Sequence, residues 1–300
     1  MEKVIPLAAS IVLSTGLFAV FKFVGKKGID QFPVIIVNYI TCFVLGNLIL
    51  GDRHILKLET INTPGFWPLL SLGMLFVGTF FLMAKSTHES GAAASSMASK
   101  MSMIIPILAS VVFWGEAVNI QMIVGIFLAI SSVYIISTMG SNLNSDPHSL
   151  PPKKFNIVLI LVFFGSGMVD TLLNVFKQLN YNEFNNEQKA ALTFGGAMIS
   201  GLLVGLLKRA RKSNSDAPKN QLVLTLISGI VLGSINFYSV VALYAAIDAF
   251  SDNTAVMFSL NNVGVVVLST AVGWFFGERP ATRVFWGMGL AILSILVLAF

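Results

Sequence analysis

The chain alternates between long apolar runs and short polar breaks along its whole length. Ten apolar segments can be delimited, each about as long as a helix that crosses a bilayer. They cover roughly residues 4–24, 33–50, 66–84, 91–113, 119–139, 156–177, 189–207, 222–246, 253–275 and 283–300. Backbone groups in lipid must be hydrogen-bonded internally, so each segment is a helix or a barrel strand. Continuous runs without alternation exclude the barrel and predict an all-α membrane protein with ten transmembrane helices.

Composition supports this prediction. Hydrophobic residues make up 55% of the chain and charged residues 11%, against about 25% charged residues in soluble domains. The net charge of +5 comes from Lys and Arg in the loops, where they orient a chain against anionic lipid; no nucleic-acid partner is expected. The first apolar segment is too long for the h-region of a signal peptide, so it is interpreted as a retained span.

Several chemistries are excluded by the residues that are absent. Cys42 is the only cysteine, so there is no internal disulfide or cysteine-based metal site. The three histidines, His54, His88 and His148, lie far apart without ligand spacing. No glycine-rich phosphate loop followed by Lys-Ser/Thr occurs. The sequence therefore predicts no enzyme, no metal and no cofactor.

An internal repeat organises the ten segments. The longest polar break, 141–155, divides the chain into a first block, 1–140, and a second block, 156–300. Residues 113–132 align with 275–294 and share a Phe, a Gly-Glu pair, a helical Gly, Leu-Ala-Ile and a Ser. Each block holds an odd number of spans, so the second must enter the membrane from the opposite side. Two inverted five-helix repeats are typical of secondary transporters, whose site lies near the midplane between them.

A second alignment places Phe18–Lys22 of the first span on Leu173–Lys177 of the sixth. In both blocks a Phe-Lys pair comes first and a Gly-Glu pair follows. This agreement favours duplication over chance similarity between apolar segments.

The order of these motifs resembles a known family. Met83-Ala84-Lys85 is followed by Gly91–Ser96, Pro106 and Gly115-Glu116, and the second block repeats part of the series as Tyr244-Ala245-Ala246 and Gly277–Pro280. This pattern resembles the drug/metabolite transporter superfamily, in its ten-span EamA-domain branch. The second block departs from it, because Leu268 stands opposite Pro106. The resemblance implies a cell-membrane carrier of small metabolites such as amino acids, usually an exporter and often proton-coupled.

Two ionisable residues lie deep within apolar segments. Lys100 is about nine residues into the fourth segment, and Asp170 is deep in the sixth. A charge at the bilayer centre costs about 2.5–3.5 kcal/mol on insertion scales, so such residues face a partner or water. Lys100 is a candidate to hold a carboxylate or a phosphate, or to be the counter-ion of Asp170. Asp170 is a candidate for proton exchange, because burial favours a neutral carboxyl.

Polar side chains near these charges complete the predicted substrate site. Asn174 follows Asp170 by one turn, and Asn262 stands opposite Lys100 in the repeat. The full set predicted to line a cavity between the blocks is Lys100, Asp170, Asn174, Asn261, Asn262, Asn236 and Ser96. The alternative interpretation is a structural Lys–Asp pair with no contact to cargo.

Charged residues near the ends of spans are interpreted as structural. Lys22, Lys85 and Lys177 are expected to snorkel towards the membrane surface; the alternative is that they guard the mouth of a cavity. Glu116 and Glu278 are expected to cap or latch the short turns at 115–119 and 277–282.

The predicted function is secondary transport of a small metabolite by alternating access. A polytopic membrane enzyme, a lipid-handling protein and a channel remain as alternatives. The concentration of Lys and Arg in the odd-numbered loops places both termini outside, whereas the family resemblance places both in the cytoplasm. Cargo, coupling ion and oligomeric state are not predicted.

Overall fold

A computed structural model describes residues 4–51, 61–115, 118–137, 156–178, 184–211, 219–250, 254–278 and 282–299. The regular structure in these ranges is helical. The helices are α1 (Val4–Lys26), α2 (Gln31–Leu50), α3 (Phe66–Ser90), α4 (Ala92–Met101), α5 (Ile104–Trp114), α6 (Ile120–Ser137), α7 (Ile157–Gln178), α8 (Asn186–Arg211), α9 (Lys219–Ala249), α10 (Thr254–Phe275) and α11 (Thr282–Ala299).

These helices correspond one to one to the ten apolar segments, except that α4 and α5 share the fourth. Seven spans in the described ranges are long and apolar enough to cross a bilayer, and three shorter apolar stretches lie in α6, α7 and α11. At 1.5 Å per residue even the 18-residue α6 is about 27 Å long. The prediction of an all-α membrane protein is confirmed.

The fourth span is not the single helix that its apolar run predicted. Its helix stops at Met101 and restarts at Ile104, and the Ile105 amide bonds the carbonyl of Ser102 at 2.9 Å in a tighter turn. Pro106 explains the position of the break. A proline has no N–H, and its ring clashes with the carbonyl four residues earlier, which here belongs to Ser102. The corresponding helix of the second block, α10, is continuous and has Leu268 at the equivalent position.

The helix contacts follow the repeat: a contact between two helices has a counterpart between the equivalent helices of the other block. The contact of α1 with α9 corresponds to that of α7 with α3, and the contact of α2 with α9 to that of α8 with α3. Three contacts map onto themselves: α2 with α8, α4 with α10, and α6 with α11. The interface between the blocks therefore runs through the middle of the bundle rather than along its edge.

The repeated Gly-Glu motif follows the end of a helix in both blocks. Gly115 and Gly277 have φ angles of +69° and +83°, a backbone conformation that glycine adopts without strain. After α10, the amide of Glu278 bonds the carbonyl of Gly273 at 2.9 Å, as in a Schellman helix terminus. The glycine shared by the two blocks therefore lies at a helix terminus that needs glycine in both.

Candidate functional site

The break between α4 and α5 brings the two mid-membrane charges near each other. Lys100 is in the last turn of α4, and Ser102 lies in the break itself. The Ser102 hydroxyl donates to Asp170 Oδ2 of α7 at 3.4 Å. One turn earlier on both helices, Ser99 and Ser166 hydroxyls lie 3.1 Å apart. Two rungs of serine contacts thus fix α4 against the face of α7 that carries Asp170.

Asp170 points into the bundle rather than into lipid. The lipid-facing stripe of α7 contains the exposed side chains of Leu161, Phe164 and Met168. Asp170 is two residues beyond Met168, which places it about 200° around the helix from that stripe. Asp170 is exposed and Lys100 is half-buried. The hydrogen bond from Ser102 shows that this face of α7 is turned towards α4.

Lys100 and Asp170 interact electrostatically, but no direct ion pair within 4 Å joins them. Lys22 and Lys85 each pair with a glutamate within that distance. Asp170 accepts one long hydrogen bond, from Ser102. A charged side chain within a membrane span requires a partner or water. Lys100 and Asp170 are therefore close enough to interact but are not joined in a closed ion pair.

The second block contributes Asn262 to this region through α10. Its amide nitrogen lies 3.5 Å from the sulfur of Met103, in the break between α4 and α5. Ser96 also faces α10, with its hydroxyl 2.5 Å from that of Ser269. The structure therefore brings Lys100 and Asp170 together on α4 and α7 and places Asn262 of α10 against the helix break. Ser96, one turn before Lys100, instead contacts α10 at Ser269.

The remaining predicted site residues lie elsewhere or are not described. Asn261 is buried and accepts from Ser10 Oγ at 3.0 Å, which ties α10 to α1. Asn236 donates to Asn38 Oδ1 at 3.1 Å in a buried contact between α9 and α2. Among the described residues, no hydrogen bond links either asparagine to Lys100 or Asp170. Asn174 is in α7, one turn beyond Asp170, but its side chain is outside the described residues.

The serine contacts between α4 and α7 do not follow from the sequence. Ser102 and Ser166 give no clear signal there, because a serine in a membrane helix often bonds its own backbone. Ser102 in fact does both, since its hydroxyl also lies 2.5 Å from the carbonyl of Ser99. The available signal was the position of Ser102 four residues before Pro106, where a helix is expected to open.

The structure distinguishes between the roles expected of the charged residues near span ends. Lys22 does not snorkel to the surface; it forms an ion pair with Glu278, with both side chains largely buried. Of the two roles expected of Glu278, the side chain latches its turn to α4 rather than capping it, because its Oε1 accepts from the amide of Ala92 at 3.3 Å. Lys85 is half exposed and pairs with Glu89 in the same helix at 3.8 Å. The Lys177 side chain and Glu116 are outside the described residues.

Comparison with known proteins agrees with the motifs and the fold. Residues 6–138 match the model of the EamA-like transporter family. An uncharacterized protein of Haemophilus influenzae is 27% identical over 286 residues, which cover 93% of this chain and 92% of that protein. One crystal structure has a similar fold, with a TM-score of 0.57 and 14% identity over 98% of this chain and 95% of the other.

The family match indicates a transporter rather than an enzyme. The similarity to the crystal structure extends the same helical fold through both blocks of the chain. Residues 6–138 are thus similar to the EamA-like transporter family, a match consistent with the drug/metabolite transporter superfamily, and the apolar helices mark the chain as a multi-pass membrane protein.

Proposed function

We propose that the protein is a secondary transporter of a small zwitterionic metabolite, such as an amino acid. The observation that carries this proposal is that Lys100 and Asp170 lie close enough to interact within the membrane spans but do not form a direct ion pair. A substrate carboxylate would bind Lys100, and a substrate ammonium would bind Asp170. Each charge then gains the partner that its position in the membrane requires.

The serine and asparagine groups around the break fit the same substrate class. Ser99 and Ser102 have hydroxyls next to the charges, and Asn262 faces Met103 with an amide that can donate to a carboxylate. Discontinuous helices supply binding groups in many transporters, because an opened backbone turn exposes polar atoms at the midplane. The same carboxylate of Asp170 could carry a proton when no ammonium is bound, which would couple cargo to protons.

The proposed mechanism is alternating access between two inverted repeats, 1–140 and 156–300, joined by the linker 141–155. The exchange-symmetric helix contacts support this division, since α4 and α10 meet at the block interface beside the charges. Rocking of one block against the other would expose the site to each face in turn. We further propose location in the cell membrane and net export. A channel is disfavoured because Lys100 and Asp170 lie at one level rather than along a pore.

A flux assay tests this function. Proteoliposomes that contain the purified protein are loaded with radiolabelled neutral amino acids, and flux is measured with and without a pH gradient. Matched analogues that lack either the carboxylate or the ammonium serve as competitors. We expect the zwitterion to compete and each single-charge analogue to compete at least about tenfold less well, since an unpaired buried charge is left in the site. Equal competition by all three would contradict a two-ended site.

The helix break has its own testable consequence. Replacing Pro106 by Ala supplies the missing N–H and removes the ring, so α4 and α5 should fuse into one helix. We expect higher thermal stability, because a proline inside a helix is destabilising. We also expect flux to fall by about tenfold or more, because the opened turn at Ser102 closes. The control is Pro68→Ala in the first turn of α3, where a proline is tolerated. Unchanged flux in Pro106→Ala would show that the break has no role in transport.

A further inference from the structure

A buried carboxylate at one end of the bundle joins the two blocks. Glu278, which follows α10 of the second block, binds Lys22 of α1 and the amide of Ala92 at the start of α4. We infer that these three groups, here called the latch, close this end of the transport path and hold α4 in the position that forms the substrate site. This inference rests on the proposed function, because a gate has meaning only in a carrier.

The latch is buried although it consists of charged groups near a membrane surface. The side chains of Lys22 and Glu278 are 12% and 6% exposed. A buried ion pair is stable only when the geometry is close and the remaining polar atoms are bonded. Here the first amide of α4 supplies the additional hydrogen bond, and the positive end of the helix dipole favours the carboxylate. Such a contact is specific to one arrangement of the two blocks.

Two glycines make room for the carboxylate. A Cβ added at Gly91 would lie 2.7 Å from Glu278 Oε2, and one added at Gly273 would overlap the same oxygen. Gly91 also has a φ angle of +92°, which a side chain would strain. The carboxylate therefore sits in a recess formed by backbone from both blocks.

The short helix α4 connects the latch to the substrate site. Its 10 residues, Ala92–Met101, form a rod about 15 Å long. The latch holds its first amide, and Lys100 lies in its last turn, just before the break. Because the break separates α4 from α5, α4 can move as a unit when the latch opens. Loss of the latch would therefore alter both access at this end and the position of Lys100.

Neighbouring contacts place the latch at one membrane face. His88 of α3 bonds the Gly25 carbonyl of α1 at 3.1 Å, and Asn156, just before α7, bonds Ser90 of α3 at 2.6 Å. The ends of α1, α3 and α10 and the start of α7 thus lie at the same end of the bundle, opposite the N-terminus of α1. Asn156 to Ser90 is a second contact between the blocks, but it involves no charge.

The repeat provides the equivalent residues for the opposite end. Lys177 aligns with Lys22, and Glu116 aligns with Glu278. Their side chains are outside the described residues, so the inference concerns the latch alone. An alternating-access carrier nevertheless requires one closure at each face, and the sequence supplies both pairs.

The experiment measures access to the site independently of cargo. Cys42 is replaced by Ala to remove the only thiol, and Ser99 is replaced by Cys as a reporter beside the substrate site. A membrane-impermeant maleimide is then applied from each face of proteoliposomes; Lys27→Cys, exposed in the loop after α1, identifies the latch face. We expect slow labelling from the latch face in the parent, and labelling accelerated by about tenfold in Glu278→Gln.

Matched variants separate the ion pair from other effects. Glu89→Gln removes the same charge from an ion pair at the same end of the bundle, but within one helix, and should leave the labelling rate unchanged. The exchange Lys22→Glu with Glu278→Lys restores opposite charges but places a cation at the start of α4, so we expect only partial recovery. Unchanged labelling in Glu278→Gln, or an equal effect of Glu89→Gln, would overturn the inference.

Folding and transport are read separately. If Glu278→Gln does not yield folded protein, Lys22→Gln takes its place, because it leaves the Ala92 amide bond intact. In addition, in protein that keeps Ser99, Lys22→Cys with Glu278→Cys is joined by a short bifunctional thiol reagent, which should stop flux. Continued flux in the joined protein would contradict the latch. Absence of flux in Cys42→Ala that keeps Ser99, with the labelling pattern of the Ser99→Cys protein as expected, would contradict the proposed function but not the latch.

Discussion

Replacing Asp170 by Asn should lower substrate flux by about two orders of magnitude while the protein still folds. Removing one partner of a charged contact that the bound substrate buries costs about 2–5 kcal/mol in binding, and among the described residues Asp170 is the acidic group proposed to face the substrate ammonium. The matched control is Asp248→Asn at the end of α9, away from the site. There the Asp248 carboxylate accepts a hydrogen bond of 2.6 Å from the side chain of Asn186. Binding measured by ligand-induced thermal shift should fall in parallel with flux.

Lys100 provides the complementary test, and the double variant separates two interpretations. Lys100→Met should abolish binding of carboxylate-containing competitors, with Lys85→Met as the control for loss of a lysine. If Lys100 and Asp170 were only a structural pair, each single variant would leave one charge without its counter-ion. Neutralising both would leave no unpaired charge and would restore transport. If each binds one end of the cargo, the double variant Lys100→Met with Asp170→Asn stays inactive. Recovery of flux in the double variant would therefore exclude the proposed site.

Local pattern predicted the helices well, because ten segments of suitable length leave few other structures possible in lipid. It failed where polar residues continue a helix. The third segment was expected to end at Ala84, yet α3 runs to Ser90. The hydroxyls of Ser86 and Ser95 lie 2.5 Å apart, and His88 bonds Gly25. These partners come from other elements, so hydropathy alone could not show that a polar turn would be stable there.

In the candidate site, too, local sequence identified single residues but not their partners from other helices. Lys100 and Asp170 stood out because an ionisable residue in an apolar run is costly wherever it packs. The partners of Lys22 and Asn236 could not be inferred, because Glu278 and Asn38 are distant in sequence and reach them only through the packing of the two blocks. The position of the helix break was available from Pro106, but its role in bringing Ser102 to Asp170 depends on how α4 meets α7.

The close contact between α3 and α8 yields the second large expected effect. A Cβ added at Gly196 would overlap the carbonyl of Leu70, and one added at Gly73 would overlap backbone atoms of Thr193 and Ala197. The backbones of the two helices therefore touch, as small residues allow in membrane bundles. Because main-chain atoms cannot move aside as a flexible side chain can, Gly196→Leu should cost about 3 kcal/mol or more.

We expect Gly196→Leu to lower the midpoint of thermal unfolding in detergent by about 10 °C or to prevent folding, and Gly73→Leu to behave alike. Gly78→Ala is the matched control on α3, since nothing lies within 4 Å of its added Cβ; a helical Gly-to-Ala change there should be neutral or slightly stabilising. The contact joins α3 of the first block to α8 of the second, so its loss separates the blocks rather than unfolding one helix. A normal midpoint in Gly196→Leu would mean that α3 and α8 do not approach as described, and the interface between the blocks would then have to lie elsewhere.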